Sequence, residues 1–369
     1  MRRISIAVLA APLLGACAGS PVESAGGDST SGTVEDSTGV PATTTSTGDD
    51  DHAEASTAAD GDGSGSADAP DLGTPALGAP YPVVLVHGFF GFDELAGLEA
   101  ATYFNGVVPR LALDGELEIY TPALDPFNDS TVRGMQLLEH VEAIVASTGR
   151  AKVNLVGHSQ GGLDARVVAH LRPDLVASVT TIATPHLGTP IADLVLDGGG
   201  PGGQALADEL AQLLGGVLWS ELDGNSSVAV ALAQLGSEGI ATFNATYTDA
   251  PGVPYRSIGG RSSLAGVDDD CEAADVPDYI AAFEDARDPV DPALAIAAGI
   301  LSADLLDPIA NDGLVRAIDA HWGEFRGCIP ADHLDEVGQL FGDGPGLGNP
   351  WQHLEFYAAL VAELRDDGF

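Results

Sequence analysis

The chain has 369 residues and a formal net charge of -41, from 55 acidic against 14 basic side chains. A surface this acidic repels phosphate backbones, so nucleic acid is excluded as a partner. The same charge suits salty surroundings, where ions screen the self-repulsion.

At the N-terminus, Arg2 and Arg3 precede an apolar run too short to span a bilayer. The run ends in Leu14-Gly15-Ala16-Cys17, which resembles a bacterial lipoprotein signal. That resemblance implies removal of residues 1–16, a lipid on Cys17 and export. Ala18 follows the cysteine; by analogy with enterobacterial sorting it points to the outer membrane or cell surface. Residues 17–79 are rich in Ser, Thr, Gly, Ala and Asp, with no Lys, Arg, Phe, Tyr or Trp. Such a segment cannot bury enough apolar surface to offset chain entropy, so it is expected to be a disordered acidic tether. Residues 80–369 are the predicted folded domain, long enough for a full core.

Within that domain, "PVVLVHG" (82–88) is a continuous apolar run, as a strand buried on both faces requires. "ELEIYTPAL" (116–124) is a second strand candidate. Residues 130–148 read as a helix capped by Ser130, with Val132, Met135, Leu138, Val141 and Val145 at helical spacing. "KVNLVG" (152–157) is a strand and "GGLDARVVAHL" a helix. Strands follow at 177–184 and 254–260, and a final helix at 351–364. This alternation predicts an α/β fold, doubly wound around a mostly parallel sheet.

Between the 152–157 strand and its helix stands Gly157-His158-Ser159-Gln160-Gly161. G-x-S-x-G in a strand-to-helix turn is the context of an exposed nucleophile, so Ser159 is the predicted one. Small neighbours allow the sharp turn, and the helix N-terminus favours developing negative charge. An oxyanion needs N–H donors from two places. Gln160, after the nucleophile, supplies one, and Phe89, in the loop after the first strand, the other. The base and acid should follow Ser159. His321 and His333 remain as base candidates, and Asp304, Asp307, Asp312 and Asp319 as acid candidates. Local chemistry leaves both choices open. Once Cys17 carries lipid, Cys271 and Cys328 are left, in a compartment where thiols pair.

Several colinear blocks narrow those choices. "YPVVLVHGFFGFDEL", "KVNLVGHSQGG", "ATPHLGT", "NDGLV" and "HLDEVGQLFG" together resemble the secreted triacylglycerol lipases of the Pseudomonas and Burkholderia type. The resemblance runs from Tyr81 to about Leu364. It implies an α/β-hydrolase fold, with Asp312 as triad acid, His333 as base and Phe89 and Gln160 as oxyanion donors. It also implies a structural calcium ion held near Asp335, Gln339 and Asp343. A further ligand would come from an Asp-Pro pair, Asp291-Pro292 fitting best and Asp288-Pro289 being the rival. A disulfide between Cys271 and Cys328 would sit in a shifted register relative to that family.

The stripe of leucines in "GQALADELAQLLGGVLW" (203–219) is either core packing or, by the same resemblance, a lid over Ser159. A lipid or ester substrate and a dedicated folding chaperone are the implied partners. The expected activity is ester hydrolysis on acylglycerols. Short-chain esterase, thioesterase or polyester depolymerase are alternatives on the same fold, and an inactive hydrolase-fold lipoprotein or lipid-binding module is the non-enzymatic one.

Overall fold

A computed structural model of the protein describes residues 75–89, 103–198, 206, 227–262, 269–302, 308–339 and 344–369. The expected signal, Cys17 and nearly all of the tether lie outside the described residues. So does most of the 203–219 stripe. Leu206, its one described residue, is buried and helical.

Strands β1 (Val83–Val86), β2 (Ile119–Tyr120), β3 (Val153–His158), β4 (Val176–Ile182), β5 (Tyr255–Gly260) and β6 (Glu324–Ile329) form one six-stranded sheet. All pairings are parallel, in the order β2-β1-β3-β4-β5-β6. Helices in chain order are α1 (Val107–Leu113), α2 (Ser130–Thr148), α3 (Gln160–Leu171), α4 (Pro190–Leu196) and α5 (Ser227–Leu235). They continue as α6 (Ser237–Thr246), α7 (Asp278–Ala281), α8 (Ala295–Leu301) and α9 (His353–Asp366).

Alternation along the strands divides the core. Val83 and Leu85 point to the face covered by α1 and α9, where Val107, Leu111, Phe356 and Leu360 pack. Val84 and Val86 point to the opposite face, against Leu137 and Val141 of α2 and Val168 of α3. Strands buried on both faces read as unbroken apolar runs, and β1, β3 and β4 are buried along their whole length. Strand β6 escaped the sequence reading for the opposite reason. It opens on exposed Glu324 at the sheet edge and carries Arg326 and a left-handed Gly327, with φ 102°.

Helix α2 has the predicted limits but presents a different face. Val132 and Met135 are 39% and 47% exposed. The buried row is Arg133, Gly134, Leu137, Val141 and Ile144. Gly134 allows the close approach of α3, since a Cβ there would stand 2.5 Å from the Cβ of Val167. The cap is Asp129, whose carboxylate accepts from the N–H groups of Thr131 and Val132, and not Ser130.

Strand order reverses between β1 and β3, and the crevice at such a reversal is where α/β sheets bind ligands. Val86 and Gly157 are register partners there. The loop carrying Phe89 and the turn carrying Ser159 therefore leave the sheet side by side.

Candidate active site

Ser159 has φ 55° and ψ -133°, a conformation that side-chain-bearing residues rarely adopt. Holding it costs about 1–3 kcal/mol, so the surroundings must enforce it. The Ser159 N–H donates to the Ile182 carbonyl at 2.9 Å. Its carbonyl accepts from the Thr184 hydroxyl at 2.7 Å and the Gly162 N–H at 3.1 Å. The flanking glycines are sterically required. A Cβ on Gly161 would stand 2.2 Å from the Val86 carbonyl oxygen, and one on Gly157 2.5 Å from the Gly162 nitrogen. Backbone atoms cannot yield as a flexible side chain can.

The strand-end loop abuts the serine. A Cβ on Gly88 would lie 2.6 Å from the Cβ of Ser159. Phe89, the next residue, meets Phe127 edge-to-face at 6.2 Å. Gln160 opens α3, where the first N–H groups of a helix have no intrahelical acceptor. Its side chain turns away, the Nε2 donating to the Asn128 carbonyl at 2.9 Å.

Arg133 secures this loop from below, a role invisible in the sequence. Its guanidinium donates to the His87 carbonyl at 2.6 Å and the Asp125 carbonyl at 2.6 Å, and pairs with Asp164 at 2.8 Å. Both ions of that pair are fully buried. Burial pushes the Asp164 carboxyl up to about 6, with the Arg133 charge opposing. Burial, then Arg133, also lowers His87 to about 3, so its ring is neutral. Its Nε2 accepts from the Leu124 N–H at 3.0 Å, which leaves Nδ1–H to donate to the Gly88 carbonyl at 2.9 Å. Breaking a buried ion pair from one side strands the other charge. Asp164→Asn is therefore expected to lower unfolding stability by about 3–5 kcal/mol, measurable by urea denaturation.

Asp312 is fully buried, and its Oδ2 lies 2.9 Å from Nδ1 of His333. Its Oδ1 accepts from the N–H groups of Leu314 and Val315 at 2.8 and 2.7 Å. The turn formed by Asn311-Asp312-Gly313 thus fixes the carboxylate as well as the chain direction. A backbone bond, His333 N–H to the Asp312 carbonyl at 2.9 Å, ties the two loops again. Cys271 and Cys328 form a disulfide, with Cα atoms 5.3 Å apart. Beside it, Asp270 accepts from the Ala310 N–H at 3.1 Å and so anchors the approach to Asp312.

The other histidines have different surroundings. His321 lies against Phe325 and bonds the Asp270 carbonyl. His186 is buried and stacked on Trp322 at 5.3 Å. His170 and His353 bond backbone carbonyls of Thr248 and Asn105. Asp319 pairs with Arg316, while Asp304 and Asp307 lie outside the described residues.

A cluster of carboxylates stands beside the His333 loop. Asp288, Asp332 and Asp335 bring oxygens within 4.8 Å of one another. Asp288 Oδ2 is buried without a hydrogen-bond partner. Burial pushes the Asp288 carboxyl up to about 6, and the Asp332 charge acts in the same direction. Burial also raises Asp332, which backbone N–H groups of Asp291, Leu334 and Asp335 stabilise. Hard oxygen donors crowded against their own repulsion fit a metal cation.

Of the expected ligands, Asp335 belongs to this cluster, as does Asp288 of the rival Asp-Pro pair. The Asp291 carboxylate instead caps its own turn through the Ala293 N–H at 2.7 Å. Gln339, expected to lend a carbonyl, follows the cluster in the same loop, where its N–H bonds the Leu334 carbonyl. Asp343 lies outside the described residues.

Comparison with known proteins agrees with this architecture. Residues 81–220 match the alpha/beta hydrolase fold family. A triacylglycerol lipase of Vibrio cholerae is 39% identical over 272 residues, covering 71% of this chain and 81% of that protein. One from Pseudomonas fragi is 31% identical over 297 residues, covering 78% of this chain and 97% of that protein. Among solved structures, Staphylococcus hyicus lipase superposes with a TM-score of 0.52 at 18% identity, over 78% of this chain and 96% of that one. The chain belongs to the triacylglycerol lipase family, carboxylic ester hydrolases on the α/β-hydrolase fold.

Proposed function

We propose that the chain hydrolyses acylglycerol esters through Ser159, His333 and Asp312. What supports this reading is the buried Asp312–His333 pair, whose Nδ1 bond leaves Nε2 as the basic atom, with the His333 ring 4.6 Å from that of His158, the residue before Ser159 on its sharp turn. His333 takes the Ser159 proton as the hydroxyl attacks the ester carbonyl. Asp312 orients the imidazole and stabilises it when charged. The N–H groups of Phe89 and Gln160 hold the tetrahedral oxyanion. His333 then protonates the leaving alcohol, and water, activated by His333, releases the acid from the acyl-enzyme.

A panel of p-nitrophenyl esters and emulsified triglycerides tests the substrate class. Turnover of long-chain emulsions is expected. Activity confined to short soluble esters would instead assign a short-chain esterase. Turnover of neither would support the non-enzymatic alternatives.

For the carboxylate cluster, the proposed cation is calcium, held by Asp288, Asp332 and Asp335. Bound there it would supply positive charge that pins the loop bearing His333, and it would take no part in the chemistry. A chelator is expected to lower the unfolding temperature of the wild-type protein by several degrees and to leave Asp335→Ala unaffected. Calcium binding should strengthen as pH rises through about 6, where Asp288 loses its proton. Calorimetric titration at pH 5 and 7 measures this directly.

The reading also includes a lipid on Cys17, supported by the Leu14-Gly15-Ala16-Cys17 pattern. The acidic segment to residue 79 would then tether the domain to a membrane surface, near its substrate.

A further inference from the structure

Three buried polar side chains that no step above uses connect the loops of the site. Tyr103 precedes α1, His158 ends β3 next to Ser159, and Glu336 follows His333 by three residues. His158 and Glu336 are fully buried, and Tyr103 is nearly so. The Tyr103 hydroxyl lies 2.7 Å from His158 Nδ1, and His158 Nε2 lies 2.7 Å from Glu336 Oε2. At its other side the Tyr103 hydroxyl takes a hydrogen bond from the Gly88 backbone, in the loop that leads to Phe89.

A proton arrangement that satisfies every link runs from Gly88 to Glu336. Gly88 N–H donates to the Tyr103 oxygen, whose own O–H donates to Nδ1 of His158. The Nε2–H of His158 then donates to Glu336. Burial holds the His158 ring neutral, as this arrangement requires. The His158 ring also packs 4.6 Å from the ring of His333. Gly260, at the end of β5, makes room for the last member. A Cβ there would stand 1.8 Å from Glu336 Oε1.

We infer that Tyr103, His158 and Glu336 act as one chain of positioning residues, fixing the oxyanion loop, the nucleophile turn and the base loop relative to one another. The inference rests on Ser159 and His333 being the reacting groups. Among the described residues, this chain joins all three across the site. Burying such groups costs free energy unless they find partners, and the two links supply them for the Tyr103 hydroxyl, both His158 nitrogens and Glu336 Oε2, while Glu336 Oε1 is buried without one. Reacting groups displaced by about an ångström can lose up to about 100-fold in rate. None of the three touches substrate in this role.

The test compares wild-type protein with Tyr103→Phe, Glu336→Gln and the double variant. Each is titrated with a p-nitrophenyl phosphonate and assayed for kcat and KM on a soluble ester. Phe keeps the ring of Tyr103 and Gln the shape of Glu336, so folding should survive. His158→Gln, which retains only the Nε2-side bond, serves if either does not. Tyr103→Phe is expected to lose roughly 10- to 100-fold in kcat and phosphonylation rate with KM unchanged. The double variant should lose no more than the worse single one, since breaking one link breaks the chain. Wild-type kcat in Tyr103→Phe, or losses that multiply in the double variant, would overturn the inference. Failure of wild-type Ser159 to react with the phosphonate would instead sink the assignment of the reacting groups.

Discussion

Ser159→Ala is expected to reduce kcat by about 10⁴- to 10⁶-fold, to a residual set by the oxyanion donors and binding. The substitution removes one oxygen. It leaves in place the Ile182, Thr184 and Gly162 bonds to the Ser159 backbone that hold the turn. Thermal unfolding should therefore stay close to wild type while turnover disappears. Steady-state kinetics on a soluble ester, beside a melting curve for each protein, checks both halves. Loss of turnover accompanied by loss of fold would show only that the turn is structurally sensitive.

Asp312→Asn should cost about 10⁴-fold in kcat with the fold retained. The mechanism can be read from the acid's two oxygens. Oδ1 accepts from the Leu314 and Val315 N–H groups, so an asparagine must keep its carbonyl oxygen there. Its NH₂ is then forced toward Nδ1 of His333, now 2.9 Å from the acid. That donor selects the tautomer with the proton on Nε2, which cannot accept the serine proton. Asp312→Ala would differ, leaving the buried Val315 N–H unpaired at about 1–3 kcal/mol and the part-buried Leu314 N–H without its acceptor. Comparing kcat and unfolding midpoints of the two variants separates the tautomer effect from the packing effect.

Much of this arrangement was legible in the sequence because the signals are local. Strand β1 is an unbroken apolar run that double-sided burial imposes, and β3 and β4 are largely apolar and buried throughout. The serine turn carries glycines that backbone proximity imposes. The Asn311-Asp312-Gly313 turn signal, by contrast, said nothing of whether Asp312 reached a histidine. That depended on resemblance to lipases, because the partners are 21 residues apart and meet only through the fold. The same distance effect hid Arg133. A charged residue inside a helix reads as outward-facing until Asp164, 31 residues on, is seen to pair with it. The apolar stripe through Val132 and Met135 was misread for the matching reason, since α2 turns the arginine and a glycine inward. Asp288 and Asp291 both precede proline, and the resemblance favoured Asp291 with Asp288 as the rival. The Asp291 carboxylate caps its own turn, while Asp288 joins the cluster. His158 occupied a variable position of the serine motif, so nothing marked it as more than a spacer.

The most direct test of the central claim is active-site titration of the folded protein with an organophosphonate ester, followed by peptide mass spectrometry. The expected result is one adduct per chain, on the peptide containing Ser159, with ester turnover falling in proportion to labelling. An adduct on another residue, or full turnover after Ser159 is labelled, would contradict it.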